Sequence, residues 1–141
     1  MSTSTIRIIT GLVLIIHGIG HAMAFFPALR IFNTEKWHHR SWILSGFLPD
    51  SVSRTLVIIL FGAALIGFIA AGLSLFDWLV PHNAWKNLAV ISAVISLVAL
   101  GLFWNAFASL FPNKIGAIAV NIATLWILLG SSSFSETIRN L

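Results

Sequence analysis

The chain has no cysteine and few charged side chains. Without thiols it can form no disulfide, thiolate metal site, iron–sulfur cluster or cysteine nucleophile of its own. Only 9% of its residues are charged, whereas soluble domains have about 25%. Hydrophobic residues make up 58%, and the mean hydropathy is +0.98. Because so few charged residues cannot cover a water-facing surface, the composition predicts an integral membrane protein. We expect a single domain, residues 1–141.

Acidic residues are also scarce, which leaves a basic excess. Eight Lys and Arg stand against four Asp and Glu, for a net charge of +4. The basic residues are scattered between apolar runs and form no patch. We therefore expect them to meet the head groups of the lipid bilayer and to set the topology, and we expect no nucleic-acid partner.

Four apolar runs are long enough to cross a bilayer as helices, which takes about 20 residues. They cover residues 8–26, 52–76, 85–111 and 115–130. Small residues recur at helical spacing, as in Ala63, Gly67 and Ala71, and such seams let membrane helices pack closely. The pattern predicts an all-α, integral membrane bundle of four transmembrane helices.

An alternative for the first run is a secretory signal peptide cleaved after Ala22-Met23-Ala24. Two histidines inside the apolar region and a single preceding Arg7 are not typical of such a peptide. We therefore favour a membrane span.

Four spans would place both termini on one face of the membrane, here called side A, and the loop of residues 27–51 on the other, side B. Side B would carry five basic residues and side A three: Arg30, Lys36, Arg40, Arg54 and Lys114 against Arg7, Lys86 and Arg139. Cytoplasmic loops are enriched in Lys and Arg. The sequence thus favours a cytoplasmic (cell) membrane with side B inside and both termini outside.

The stretch HGIGH, residues 17–21, interrupts the first apolar run. Polar side chains within a span are costly and are candidates for function. His17 and His21 are four residues apart, so their rings share one helix face. Gly18 and Gly20 would let another helix or a flat ligand approach the backbone.

Counting depth along the predicted helices places other polar residues in the same half of the bundle. Asn105, Asn121 and Thr124 fall in the side-B half, and Arg54 lies at its mouth. We therefore predict a polar pocket lined by His17, Gly18, His21, Asn105, Asn121, Thr124 and Arg54.

Several roles fit this pocket. His17 and His21 have the spacing of a metal-binding pair, with His38 or His39 as further ligands. Haem with two axial histidines is not favoured, because two ligands on one helix face cannot bind from opposite sides. A neutral imidazole with amides and a hydroxyl suits a quinone or other carbonyl head group, or a proton-transfer step at about pH 6 to 7. The remaining interpretation is structural, with the imidazoles joining helices through hydrogen bonds.

No carboxylate lies at depth in the predicted spans, and no nucleophile–base pair or phosphate-binding loop is found. Proton-coupled export through a buried glutamate is therefore unsupported. We do not expect the isolated chain to be a self-contained enzyme.

The opening segment TIRIITGLVLIIHGIGHAMAFFP resembles the start of the DoxX-like family of small prokaryotic membrane proteins with four helices. In that family an Arg precedes the first helix and an HG pair is followed three residues later by a basic residue; here Arg7, His17, Gly18 and His21 match. The segment FGAALIGFIAAGL is also similar, although it lacks the acidic residue often seen near the start of the family's second helix. The resemblance covers the first two spans and implies a link to quinone-coupled redox complexes.

These observations together favour an accessory or redox-associated, quinone-linked membrane subunit with a polar pocket around His17 and His21. The alternatives are a protein that binds or transports a small molecule or lipid without chemistry, and a purely structural subunit. Partners would be other membrane subunits or a second copy of the chain.

Overall fold

The computed structural model describes residues 2–130, 136–138 and 141. Within these residues the chain is helical and forms no strand. Four helical segments are long and apolar enough to cross a membrane: Thr3–Ala28, Asp50–Leu75, His82–Leu102 and Leu110–Leu129. The predicted all-α architecture with four spans is confirmed.

The spans are built from five α-helices joined by tighter turns. The helices are α1 (Thr3–Gly20), α2 (Phe25–Ala28), α3 (Asp50–Leu75), α4 (Trp85–Leu102) and α5 (Ile115–Leu129). A 3-10 turn, His21–Ala24, joins α1 to α2 inside the first span, and another, His82–Ala84, leads into α4. The chain therefore changes its helical hydrogen bonding at His21, within the HGIGH stretch.

Helix α3 is the centre of the bundle, packing against α1 and α4, while α4 also packs against α5. The buried side chains form two clusters. Val57, Phe61 and Phe103 belong to the one nearer side B, and Phe68 and Leu75 to the one nearer side A. The ring of His21 lies between the two clusters, 6.1 Å from that of Phe61 and 5.7 Å from that of Phe68.

Glycine permits close approach at two helix crossings. A Cβ on Gly67 would lie 2.0 Å from Oγ and 3.3 Å from Cβ of Ser92, so the Ser92 side chain of α4 packs directly on the backbone of α3 there. A Cβ on Gly18 would lie 3.0 Å from the carbonyl oxygen of Leu65, so α1 approaches the backbone of α3 closely. The expected small-residue packing at Gly67 is confirmed.

Helix α4 ends at Leu102, whereas the apolar run predicted a span to residue 111. Phe103 leaves the helical conformation with φ −122° and ψ 53°, and a short 3-10 turn, Trp104–Ala106, follows. The run FWNAFASLF is mainly apolar and contains neither proline nor glycine, so its composition does not mark this end. The end coincides instead with contacts to the loop between the first two spans.

That loop folds back over the end of α4. The indole nitrogens of Trp42 and Trp37 donate hydrogen bonds of 2.7 and 2.8 Å to the carbonyl oxygens of Gly101 and Ala106. The backbone N–H of His38 donates to the carbonyl oxygen of Asn105 at 2.8 Å. The loop thus satisfies backbone carbonyls that the early end of the helix leaves without helical partners.

On side A, the start of α1 is bound to the end of α3. The guanidinium of Arg7 donates to the carbonyl oxygen of Leu75 and pairs with the carboxylate of Asp77 at 2.6 Å. Asp77 also lies 3.6 Å from Nδ1 of His82. These contacts hold the side-A ends of three spans together.

Candidate functional site

His17 and His21 both point into the bundle. His17 lies in the last turn of α1, and His21 begins the following 3-10 turn. Their ring centroids are 4.8 Å apart with perpendicular planes, and the ring of Phe68 on α3 packs 4.6 Å from that of His17. His21 is only 1% exposed. The helix spacing therefore does bring the two rings together on the inner face.

Four polar side chains form a continuous hydrogen-bonded network. Nε2 of His17 lies 2.9 Å from Oδ1 of Asn121, and Nδ2 of Asn121 lies 2.7 Å from Oγ of Ser96. Ser96 Oγ in turn lies 2.6 Å from Nε2 of His21. Nδ1 of His21 is 2.9 Å from the backbone carbonyl oxygen of His17, which closes the ring.

The network spans three membrane segments. The first contributes the two histidines, α4 contributes Ser96, and α5 contributes Asn121, which is fully buried. Gly18 makes the arrangement possible, because its missing side chain lets α1 lie against α3 beside the ring of Phe68. Each of the four side chains thus has at least one hydrogen-bond partner at a depth where water is scarce.

One edge of this network borders a crevice between α1 and α5. The crevice has a volume of about 190 Å³ and is lined by Ile16, His17, Gly20 and Asn113, among others. His17 and His21 both line the crevice, but His17 is partly exposed and His21 is buried. Both ring nitrogens of His21 already have hydrogen-bond partners, so His17 is the more accessible histidine for a ligand.

A second, apolar crevice lies nearer side A, between the same two helices. Its volume is about 470 Å³, and Ile9, Val13, Trp85 and Ala123 are among its lining residues. Thr124, predicted to belong to the polar pocket, lines this crevice instead. Helices α1 and α5 are thus separated by open space on both sides of the bond between His17 and Asn121.

Asn105 lies away from the network, on side B. Its Nδ2 is 3.2 Å from Nε2 of His38, and its Oδ1 accepts a hydrogen bond of 3.2 Å from Nζ of Lys114. The Lys114 ammonium is buried and also lies 5.1 Å from the ring centre of Trp104. Asn121, not Asn105, is the amide that reaches His17.

The charges around His38 affect its ionisation. Burial, followed by the charges of His39, Arg40 and Lys114, lowers the pKa of His38 from its ordinary value. Its imidazole is therefore held in the neutral form more strongly than in an unfolded chain.

Arg54 also lies outside the network, in a cluster of charges at the start of α3. Its Nε lies 3.2 Å from Oδ2 of Asp50. Nη2 of Arg30 lies 3.2 Å from the same carboxylate oxygen. Asp50 Oδ1 lies 2.6 Å from Nε2 of His39. This cluster anchors the first loop.

The four histidines considered as metal ligands have four different partners. His17 bonds Asn121, His21 bonds Ser96, His38 contacts Asn105, and His39 bonds Asp50. In the part of the chain that the structure describes, no group of three or more His, Asp or Glu side chains is arranged to hold a metal ion.

Ser96 is the network residue that the predicted pocket does not include. With the helix ending at residue 111, Ser96 falls in the side-A half and Asn105 beside the histidines. The observed end at Leu102 moves Ser96 to within six residues of the helix end, about 9 Å, and puts Asn105 beyond it. A single shifted boundary accounts for both misplacements.

The four apolar spans make this chain a multi-pass membrane protein. Comparison with protein-family profiles, with curated proteins and with solved structures finds no match.

Proposed function

We propose that this chain is an accessory, quinone-linked subunit of a membrane redox system, and that it binds the head group of a quinone-like molecule in the crevice at His17. The observation that carries the proposal is the position of His17. Its ring is held by Asn121 on one edge and borders the crevice between α1 and α5. A pre-positioned polar group in a concave recess that also has apolar walls is typical of small-molecule sites.

The two crevices suit the two parts of such a molecule. The recess at His17, at about 190 Å³, is smaller than the roughly 300–1,000 Å³ of drug-sized ligand pockets and would hold only a head group. The apolar crevice nearer side A, at about 470 Å³, would take part of a hydrocarbon tail. The lining of the His17 crevice includes no carboxylate, which favours binding over bond-breaking chemistry in the isolated chain.

The resemblance of the first two spans to the DoxX-like family supports the same proposal. Arg7, His17, Gly18 and His21 are the matching positions. In keeping with this resemblance, we propose that the protein lies in a prokaryotic cell membrane with side B facing the cytoplasm. We also propose that a partner subunit, or a second copy of the chain, completes the redox system. Reporter fusions after residue 141 and within residues 33–45 would test the orientation: the first should report the outside and the second the cytoplasm.

Filling the crevice tests the ligand site. A Cβ on Gly20 would meet no atom within 4 Å, and Gly20 lines the crevice, so Gly20→Leu adds a side chain at the crevice wall from an unobstructed Cβ position. Gly116 has equally open surroundings and does not line the crevice, so Gly116→Leu is the matched control. Purified protein in lipid nanodiscs would be titrated anaerobically with a decyl-tailed benzoquinol and with the corresponding quinone.

We expect at least one of the two forms to bind the wild type and Gly116→Leu equally. Gly20→Leu should weaken that binding roughly tenfold or more, because the leucine side chain occupies part of the space that the ligand needs. A tenfold loss of affinity corresponds to about 1.4 kcal/mol of binding free energy. Equal binding by all three proteins would place the ligand elsewhere, and no binding to the wild type would remove the proposal.

A second candidate function is favoured by the apolar crevice itself. Its lining, with Thr10 and Thr124 as the polar exceptions, fits a lipid acyl chain bound without any head-group contact at His17. Ala123→Phe would fill this crevice. If Ala123→Phe displaces a bound lipid while Gly20→Leu has no effect, lipid binding replaces quinone binding as the conclusion.

A further inference from the structure

The hydrogen-bonded network determines which nitrogen of His21 carries its proton. Nδ1 of His21 faces the carbonyl oxygen of His17, and a carbonyl only accepts hydrogen bonds, so Nδ1 is the donor. His21 is 1% exposed and pairs with no carboxylate among the described residues. A buried charge without a counter-charge is very costly, so the ring is neutral and Nε2 carries the lone pair.

The remaining bonds then have a single direction. Because Nε2 of His21 accepts, the hydroxyl of Ser96 donates to it. Oγ of Ser96 is then left to accept from Nδ2 of Asn121. This orients the amide of Asn121 so that Oδ1 faces Nε2 of His17, which must be the donor.

His17 is thereby held in one tautomer. With the proton on Nε2, its other ring nitrogen, Nδ1, carries a lone pair. No described residue donates a hydrogen bond to Nδ1, and the ring borders the crevice. The polar atom that His17 offers to a ligand is an acceptor.

We propose that the crevice at His17 selects a ligand that donates a hydrogen bond, such as the ring hydroxyl of a quinol or phenol, over one that presents a carbonyl. The inference rests on the proposed function, since it specifies which form of a quinone-like molecule the same crevice prefers. A ligand hydroxyl can donate a hydrogen bond to the lone pair of Nδ1. A carbonyl oxygen in the same place would face another acceptor, and neither atom would have a hydrogen to donate. Sites built around one hydrogen-bonding pattern reject ligands that leave buried groups unpaired.

The quinol and quinone forms of one compound are a matched pair of probes, because they differ in the hydroxyl and carbonyl groups and share the tail. In nanodiscs under anaerobic conditions, we expect the decyl-tailed benzoquinol to bind roughly tenfold more tightly than the quinone, the ratio that one hydrogen bond supports. Equal affinity or a preference for the quinone would overturn this inference and leave the proposed function standing. No binding of either form would overturn both.

Breaking the network tests the cause of the preference. Ser96→Ala removes the hydroxyl that orients Asn121, so the amide and the His17 tautomer are no longer fixed. We expect the quinol-to-quinone affinity ratio to fall towards one, while Ser92→Ala, one turn away on α4, keeps the wild-type ratio. An unchanged ratio in Ser96→Ala would contradict the assigned role of the network.

The tautomer itself has a direct readout that needs no ligand. Nitrogen NMR of protein labelled at histidine distinguishes a protonated ring nitrogen from one with a lone pair. We expect Nδ1 of His17 in the wild type to be unprotonated, with His17→Gln used to assign the signal. A protonated Nδ1 in the wild type would overturn the inference whatever the binding data show.

Discussion

Asp50 receives a hydrogen bond from a histidine eleven positions earlier in the chain: its Oδ1 lies 2.6 Å from Nε2 of His39. The other ring nitrogen of His39 lies 3.2 Å from the carbonyl oxygen of Pro27. One buried imidazole therefore connects the end of the first span, the loop and the first turn of α3.

Replacing the carboxylate should loosen this connection. Asp50→Asn removes the charge that His39, Arg30 and Arg54 share. We expect a lower melting temperature in detergent and faster proteolysis of the loop. Glu35→Gln removes one acidic charge from the same loop, where Glu35 is exposed and forms no ion pair with a described residue. Equal melting temperatures for the two variants would show that the cluster does not stabilise the fold.

Gly67 should tolerate no larger side chain. Gly67→Leu would push α3 and α4 apart, since even a Cβ would lie 2.0 Å from Oγ of Ser92. Overpacking of this kind costs about 1–3 kcal/mol, which denaturation of the purified protein would measure. Gly116→Leu adds the same side chain in open space and should leave stability nearly unchanged. If both variants unfold like the wild type, the two helices do not approach this closely.

Ser96 should matter more for stability than its small size suggests. Ser96→Ala leaves Nε2 of His21 and Nδ2 of Asn121 without their shared partner in a buried site. Unsatisfied buried polar groups cost about 1–3 kcal/mol. Ser92→Ala removes a buried hydroxyl that makes no hydrogen bond to a described residue, and should cost less. A larger loss in Ser92→Ala than in Ser96→Ala would contradict the network.

The stability of the side-B loop should depend on pH through His38. Because the pKa of His38 is lowered from 6.5 in the folded protein, the unfolded chain takes up a proton first as the pH falls. Stability should therefore decrease as the pH drops below about 6.5 and level off below the folded pKa. His38→Gln should flatten this part of the curve in denaturation experiments run at several pH values. An identical pH dependence in the variant would assign the effect to other groups.

The sequence was sufficient to predict the four spans and to predict which face of the first helix points into the bundle. Apolar run lengths predict four crossings, and the spacing of His17 and His21 predicts that both rings share a face. The partners of those rings were harder to predict, because depth was counted from a helix end that no residue type marks. That end depends on contacts between the first loop and residues 101–106, which are distant in sequence. Asn121 lies in a helix whose boundaries were predicted well, and it was correctly placed beside His17.

The early end of α4 has a consequence for the surrounding bilayer. Its 18 residues cover about 27 Å, and with the preceding 3-10 turn the span only just reaches the roughly 30 Å of a typical hydrocarbon core. In a thicker bilayer the terminal carbonyls of such a span would face acyl chains. Here the indoles of Trp37 and Trp42 bond the carbonyls of Ala106 and Gly101 from within the protein. The side-B end of this span should thus remain satisfied in thin and thick membranes alike, with little need for the lipid to deform.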